Sequence, residues 1–300
     1  MKVIFFGTPQ FSSIILESLY ADHDILAIVT QPDESKKVSP VKSFALEHDI
    51  KLFQPKKVKN ISEHLIKLNP DIYITAAFGQ FIPNNILDHK PSINVHASLL
   101  PAYRGAAPIQ YALKDGLNET GITIMYMVKE MDAGNILAKK VVPIQHHDHA
   151  TSLTLKLSHE GASLLRETLT LFHNQRPLGE IQNPDEITFA PKWQPKDELV
   201  HLDMNCQTFL NYVRANAMTP GATLRTDACT LKIYEAIKND IIQPDSVGKV
   251  FISKSSLSLS LIDGVIDITT IQLPGKKKMP IKDFLNGQKN FLDGMILKER

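Results

Sequence analysis

The chain has 300 residues, 43% hydrophobic and 22% charged, with 33 Lys and Arg against 32 Asp and Glu, a net charge of +1. Such a composition belongs to a globular protein of one large or two smaller domains. It excludes a polycation, a disulfide framework on only two cysteines, and a membrane-spanning helix, because no apolar run is long enough.

Residues 2–6 predict a buried first strand. The opening run is too short for a secretory leader and breaks at Gly7-Thr8-Pro9 with no small-residue cleavage site. Phe11, Ile14, Ile15 and Leu19 give a helical period over 11–20. The turn between strand and helix lacks the second and third glycines of a dinucleotide fingerprint, and no GxxxxGK[ST] loop occurs, so NAD, ATP and GTP are not expected. Strands are predicted at 25–30, 71–77 and 93–96, and helices at 41–48 and 61–68. This alternation predicts an α/β fold, a parallel sheet covered on both faces, with a ligand at the carboxyl ends of its strands.

The strand at 93–96 ends on Asn94-Val95-His96, followed by Ala97-Ser98-Leu99-Leu100-Pro101-Ala102-Tyr103-Arg104-Gly105-Ala106-Ala107-Pro108. In a strand, residues i and i+2 share a face, so Asn94 and His96 point into one site. An uncharged amide donor beside an imidazole suits a reaction that builds charge on a carbonyl oxygen and moves a proton. A strand at 122–127 then runs into an acidic turn carrying Asp132. By itself Asp132 reads as a turn residue; near an imidazole it would also hold the ring's tautomer. His146-His147-Asp148-His149 reads as a solvated loop rather than a metal site, since adjacent residues rarely converge on one ion.

A long helix is predicted over 152–172, then a polar stretch over 174–196 that begins a linker, then a helix from 205 to about 217. Strand-like runs at 222–225, 231–237, 248–253, 257–262 and 265–273, with Asp-Gly and Pro-Gly turns, predict a small β-barrel. Cys206 and Cys229 read as reduced core residues of a cytoplasmic protein. Residues 205–300 carry 13 Lys and Arg against 9 Asp and Glu, the rest 20 against 23. That asymmetry fits a polyanionic partner for the C-terminal part, and ordinary solvated faces equally. The domains expected are 1–188 (catalytic), 189–204 (linker) and 205–300 (barrel).

Several segments together resemble the methionyl-tRNA formyltransferase family almost end to end. They are Phe5-Phe6-Gly7-Thr8-Pro9, Val29-Thr30-Gln31-Pro32-Asp33, Ala76-Ala77-Phe78-Gly79-Gln80 with Ile82-Pro83, the Asn94–Pro108 loop, the stretches 119–127 and 131–137, and Ala190-Pro191-Lys192. Near the end come Pro274-Gly275-Lys276-Lys277-Lys278-Met279 and Asp283-Phe284-Leu285-Asn286-Gly287. The resemblance implies a Rossmann-like parallel-sheet domain followed by a small OB-like barrel that binds tRNA. It implies transfer of a formyl group from 10-formyltetrahydrofolate to the α-amine of methionine on initiator Met-tRNA. No metal is expected, since the formyl donor is already activated and His96 has no partner His or Cys at ligand spacing, and nothing in the sequence demands more than a monomer. Asn94, His96 and Asp132 match the catalytic positions. Ser98, Leu99, Leu100 and Pro101 match the folate-contacting segment, and with Phe78, Gly79, Gln80, Phe81 and Ile82 would line the pterin cleft. Lys276, Lys277 and Lys278 would contact tRNA phosphates, as would Lys36 and Lys37. Arg104 is open between the folate's glutamate tail, a tRNA phosphate and an ordinary surface position.

Two departures stand out. The family's longer arginine- and glycine-rich insertion is reduced here to residues 33–40, and no arginine precedes Arg104. Lysines there cannot make bidentate guanidinium contacts. Ala217-Met218-Thr219-Pro220 stands where the family often has a Trp before the Pro, which reads as a packing change. The competing readings are a sugar-nucleotide N-formyltransferase on the same folate donor, and a tRNA- or folate-binding protein without turnover.

Overall fold

A computed structural model describes residues 1–33, 38–173, 175–217, 221–241, 245–253, 256–287, 292 and 294–299. Two compact units emerge. The first comprises Met1–Pro108, Glu119–Ile144 and Leu153–Lys192; the second comprises Ile109–Asn118, Gln145–Ser152 and Trp193–Arg300. Among the described residues no helix is long and apolar enough to cross a membrane.

In chain order the first unit contains β1 (Lys2–Gly7), α1 (Gln10–Tyr20), β2 (Asp24–Val29), α2 (Pro40–Glu47), β3 (Leu52–Phe53), α3 (Ser62–Lys67), β4 (Ile72–Ala76), α4 (Asn84–Leu87) and β5 (Ser92–His96). The helix α5 (Pro108–Lys114) leads into the second unit's first segment, after which β6 (Glu119–Tyr126) and β7 (Ile136–Pro143) return to the first. The long helix α6 (Ala150–Thr170) belongs to the first unit from Leu153 onward.

The sheet order is β3-β2-β1-β4-β5-β6-β7. The five strands from β3 to β5 are mutually parallel, as the strand–helix alternation predicts. The expected parallel sheet is extended by β6, which runs against it and pairs antiparallel with both β5 and β7. The β1 run Val3-Ile4-Phe5-Phe6 is wholly buried, the signature of a strand covered on both faces. On α1 the buried positions Phe11, Ile15, Leu16 and Leu19 make one helical stripe toward the sheet. Ser39 caps α2 by accepting the Lys42 N–H, and Pro40 sits at its first position.

The chain reverses order between β1 and β4, the place where open α/β sheets carry their ligands. Ser12 clasps this point: its Oγ donates to the carbonyl of Ala76 at the end of β4 (2.6 Å) and accepts the Thr8 N–H (3.2 Å). Gly7 is required there, since a Cβ would lie 2.5 Å from that of Ser12.

The second unit contains β8 (Leu199–Val200), α7 (Cys206–Ala215), β9 (Ala222–Arg225), β10 (Thr230–Asn239), β11 (Val250–Ile252), β12 (Leu257–Ser260), β13 (Val265–Gln272), β14 (Met279–Pro280) and α8 (Ile281–Gly287). Its sheet follows the path β11-β12-β13-β10-β9-β8, with β14 on β13. The expected barrel is therefore not closed among the described residues, because β11 and β8 end the path without pairing to each other. Both end strands nevertheless feed one core, with Val200 and Val250 joining Phe209 of α7 and Phe284 of α8. Both cysteines are free thiols, as the sequence predicts. Burial pushes the Cys206 thiol up to about 11 and also raises Cys229.

The His146–His149 loop is not simply solvated. Asp148 is buried and holds the turn, accepting the Gln145 N–H (2.8 Å) and the Ser152 hydroxyl (3.0 Å), while His146 and His147 are exposed.

Candidate active site

Asn94 and His96 lie at the carboxyl end of β5 and share one face of the sheet. Asp132 reaches them from the turn after β6. The Asn94 Nδ2 donates to Asp132 Oδ1 at 3.4 Å, and His96 Nδ1 lies 3.6 Å from Asp132 Oδ2. The structure thus brings the three predicted residues together. His96 is 5% exposed, so the cluster is largely screened from water.

Two main-chain groups, invisible to side-chain reasoning, organise this cluster. His96 Nε2 lies 2.9 Å from the carbonyl oxygen of Tyr103. A carbonyl only accepts, so Nε2 carries the proton, and in the neutral ring Nδ1 presents its lone pair toward Asp132. The Gly105 N–H donates to Asp132 Oδ2 at 2.8 Å. The loop reaches these positions through left-handed backbone at Tyr103 (φ 60) and at Asp132 (φ 53). Non-glycine residues rarely adopt that conformation, and it gathers at sites where geometry is over-determined.

The 98–101 segment is pinned to β6. Thr123 Oγ1 donates to the Ser98 carbonyl (2.7 Å) and accepts the Leu100 N–H (3.0 Å). The Ser98 hydroxyl closes the turn on the Ala102 carbonyl (2.6 Å). Leu99 lies against Gly121, where a Cβ would come 2.4 Å from its Cδ2, and Leu100 packs with Met125 and Ile136. Pro101 is buried. The segment's side chains are thus largely committed to packing, and its main chain is engaged as well, the Leu99 carbonyl accepting the Ala102 N–H (3.1 Å) and the Leu100 carbonyl accepting from Lys139 Nζ (3.5 Å).

The 78–82 segment divides similarly. Phe78 (2% exposed) stacks edge-on to Phe6 with ring centres 5.4 Å apart, and Ile82 joins the same core, so neither supplies a free apolar wall. Gln80 is engaged with the neighbouring chain segment, accepting the Val58 N–H (3.1 Å) and donating to the Pro55 carbonyl (3.1 Å). Gly79 has φ 79 and sits over Gln31, whose amide donates to the Phe78 carbonyl (2.8 Å). Phe81 alone is an exposed aromatic in this segment, at 73%.

Residues 1–169 match the formyl transferase family, and residues 192–289 match the formyl transferase C-terminal domain. The methionyl-tRNA formyltransferases of Listeria welshimeri and Staphylococcus epidermidis are each 40% identical to the chain, over 95% of both chains for the first and 99% of both for the second. The chain belongs to the methionyl-tRNA formyltransferase family. Solved structures share the fold at lower identity. HypX from Aquifex aeolicus in complex with tetrahydrofolic acid superposes with a TM-score of 0.70 at 16% identity, over all of this chain and 51% of that one. An N-formyltransferase from Helicobacter canadensis in complex with folinic acid and dTDP-3-aminofucose gives 0.67 at 18% identity, over 89% and 98%.

Among the roles left open for a methionyl-tRNA formyltransferase, those of Arg104 are narrowed by its burial. Arg104 is 5% exposed, so neither a tRNA phosphate nor a surface role fits it. Its Nε and Nη2 donate to Gln182 Oε1 (3.0 and 2.8 Å), and Nη1 lies 3.4 Å from Glu130 Oε1. Gln182 lies in the stretch that reads from sequence as linker, and nothing local marked it. Lys276, Lys277 and Lys278 are exposed on the turn between β13 and β14, with Lys278 Nζ 4.4 Å from the centre of the Tyr234 ring. Lys36 and Lys37 lie outside the described residues, as do Met218, Thr219 and Pro220. Among the described residues, no group of three His, Cys, Asp or Glu side chains is arranged to hold a metal ion.

Proposed function

We propose that the chain formylates the methionyl amine of initiator Met-tRNA with 10-formyltetrahydrofolate, through Asn94, His96 and Asp132. The observation that carries the catalytic assignment is the meeting of these three side chains at 3.4 and 3.6 Å, at the carboxyl end of β5. The amine attacks the formyl carbon; a C–N bond forms and the carbonyl oxygen becomes an oxyanion. One hydrogen of the Asn94 amide faces Asp132, and the other is available to the oxyanion; removing such a donor typically costs about 3 kcal/mol of barrier. His96 Nδ1 takes the proton released by the amine, which lands beside the Asp132 carboxylate. Collapse of the adduct re-forms the carbonyl and breaks the bond to the folate nitrogen, which takes the proton back from His96 and leaves as tetrahydrofolate.

The 98–101 main chain and the 78–82 segment bind the pterin in this reading, supported by the rigid pinning of the first to Thr123. Lys276, Lys277 and Lys278 contact tRNA phosphates, supported by their exposure. The second unit's sheet is OB-like, supported by the single core that both its end strands share. The protein acts as a cytoplasmic monomer without a metal.

The experiment is a formylation assay offering initiator Met-tRNA, elongator Met-tRNA and an amino-sugar nucleotide with the same folate donor. Formylation of initiator Met-tRNA supports the proposal, and the elongator lane measures what the short 33–40 loop discriminates. Formylation of the sugar nucleotide without Met-tRNA overturns it in favour of the sugar enzyme.

A further inference from the structure

Arg104 and Gln182 form a buried hydrogen-bonded unit. Gln182 is 7% exposed. Its Oε1 accepts both Nε and Nη2 of Arg104, at 3.0 and 2.8 Å. Its Nε2 donates to the main-chain carbonyls of Asp132 and Gly134, both at 2.8 Å. A guanidinium has no acceptor, so the amide oxygen must face Arg104 and the NH₂ must face the loop; chemistry alone excludes the flipped amide. Both amide hydrogens are spent on the turn that carries Asp132 in its left-handed conformation.

The arginine end is equally fixed. The Arg104 N–H donates to the Thr188 carbonyl (2.9 Å), and its carbonyl accepts the Ala190 N–H (2.8 Å). The next residue, Gly105, supplies the N–H on Asp132 Oδ2 (2.8 Å). The main chain of Asp132 is therefore held through Gln182, and its carboxylate through the residue adjoining Arg104. Losing either end lets the carboxylate drift from the 3.6 Å position it keeps beside His96 Nδ1.

We propose that Arg104 and Gln182 are positioning residues for the formyl-transfer step, acting through Asp132 and touching no substrate. The inference rests on the formyl-transfer reading above. Its consequence is a loss in kcat with KM for folate and acceptor preserved, because a displacement of about 1 Å in a catalytic group costs up to about 100-fold while leaving binding surfaces intact.

The test uses Gln182→Glu, which keeps the Arg104 contact but has no donors for the two loop carbonyls, and Arg104→Lys, which keeps the charge but not the fork. Each is made in the parent and in an Asp132→Asn background, and kcat and KM are measured on the folded fraction. The acceptor is whichever the parent formylates, Met-tRNA or an amino-sugar nucleotide, so failure of the Met-tRNA reading shows in the parent alone and leaves the ratios readable. The expected result is a kcat lower by about 10- to 100-fold in the Asp132 background with KM within about twofold, shrinking to less than about threefold in the Asp132→Asn background, since residues acting through one another are not additive. A kcat near the parent's, a loss carried by KM, or an undiminished loss in the Asp132→Asn background overturns the proposal. If one variant does not fold, the same ratios are read from the other.

Discussion

The imidazole Nε2 of His96 lies 2.9 Å from the carbonyl oxygen of Tyr103. That contact assigns the ring's proton to Nε2 and turns Nδ1 toward Asp132, so the nitrogen available to take a proton is the one nearest the strand. The ¹⁵N chemical shifts of a histidine-labelled protein check this. His96 is expected as the Nε2–H tautomer in its neutral form; an Nδ1–H tautomer contradicts the assignment.

The 98–101 segment, proposed above to bind the pterin, depends on a close approach at Gly121. A Cβ there would lie 2.3 Å from the Lys140 carbonyl oxygen and 2.4 Å from Leu99 Cδ2, and the carbonyl is part of the β6–β7 pairing and cannot swing aside. Gly121→Ala is expected to lower stability by about 1–3 kcal/mol, the usual cost of overpacking, and to raise KM for the folate by displacing the 98–101 segment. Denaturant melts and folate-dependent kinetics read the two effects separately.

How much of this was legible in the sequence differs residue by residue. Asn94 and His96 were readable because strand alternation puts i and i+2 on one face, and parallel strands end at ligands. Asp132 carried no signal of its own beyond a turn, and the family resemblance supplied its role. The role of Arg104 stays open in the sequence because its partner Gln182 lies 78 residues away, in a polar stretch with no local signal. The Tyr103 carbonyl and Gly105 N–H were invisible because main-chain groups look alike in every sequence. The antiparallel pairing of β6 was not legible for a similar reason: period-2 patterns report faces, and strand direction follows from connections.

Lys276 and Lys277 stand exposed on a turn that Gln272 shapes by donating to the Lys276 carbonyl at 2.7 Å. The double charge reversal Lys276→Glu with Lys277→Glu is expected to weaken Met-tRNA binding and flatten its salt dependence by a slope of about 2, roughly 0.9 for each phosphate no longer neutralised. The kcat at saturating Met-tRNA is expected to stay at the parent value. Binding titrations across a salt series check the slope.

Asp263 accepts the Cys206 N–H at 2.7 Å, satisfying a donor at the start of α7. That bond holds the Asp263 carboxyl below its ordinary value. The stabilisation is present where the unfolded chain's carboxyl is ionised and disappears as pH falls through the lowered folded value. Asp263 is exposed, so solvent screens the bond; Asp263→Ala is expected to cost no more than about 0.5 kcal/mol at neutral pH and progressively less in acid. Chemical denaturation at several pH values reads the difference; a gap that is constant or grows in acid contradicts it.

Formyl transfer by Asn94, His96 and Asp132 is tested most directly by following labelled formyl from 10-formyltetrahydrofolate to initiator Met-tRNA. The parent, Asn94→Ala and His96→Ala are compared, alongside equilibrium binding of the folate. The parent is expected to transfer, and each variant to lose at least about 100-fold in kcat while still binding folate. Variants that turn over at close to the parental rate would contradict the catalytic assignment.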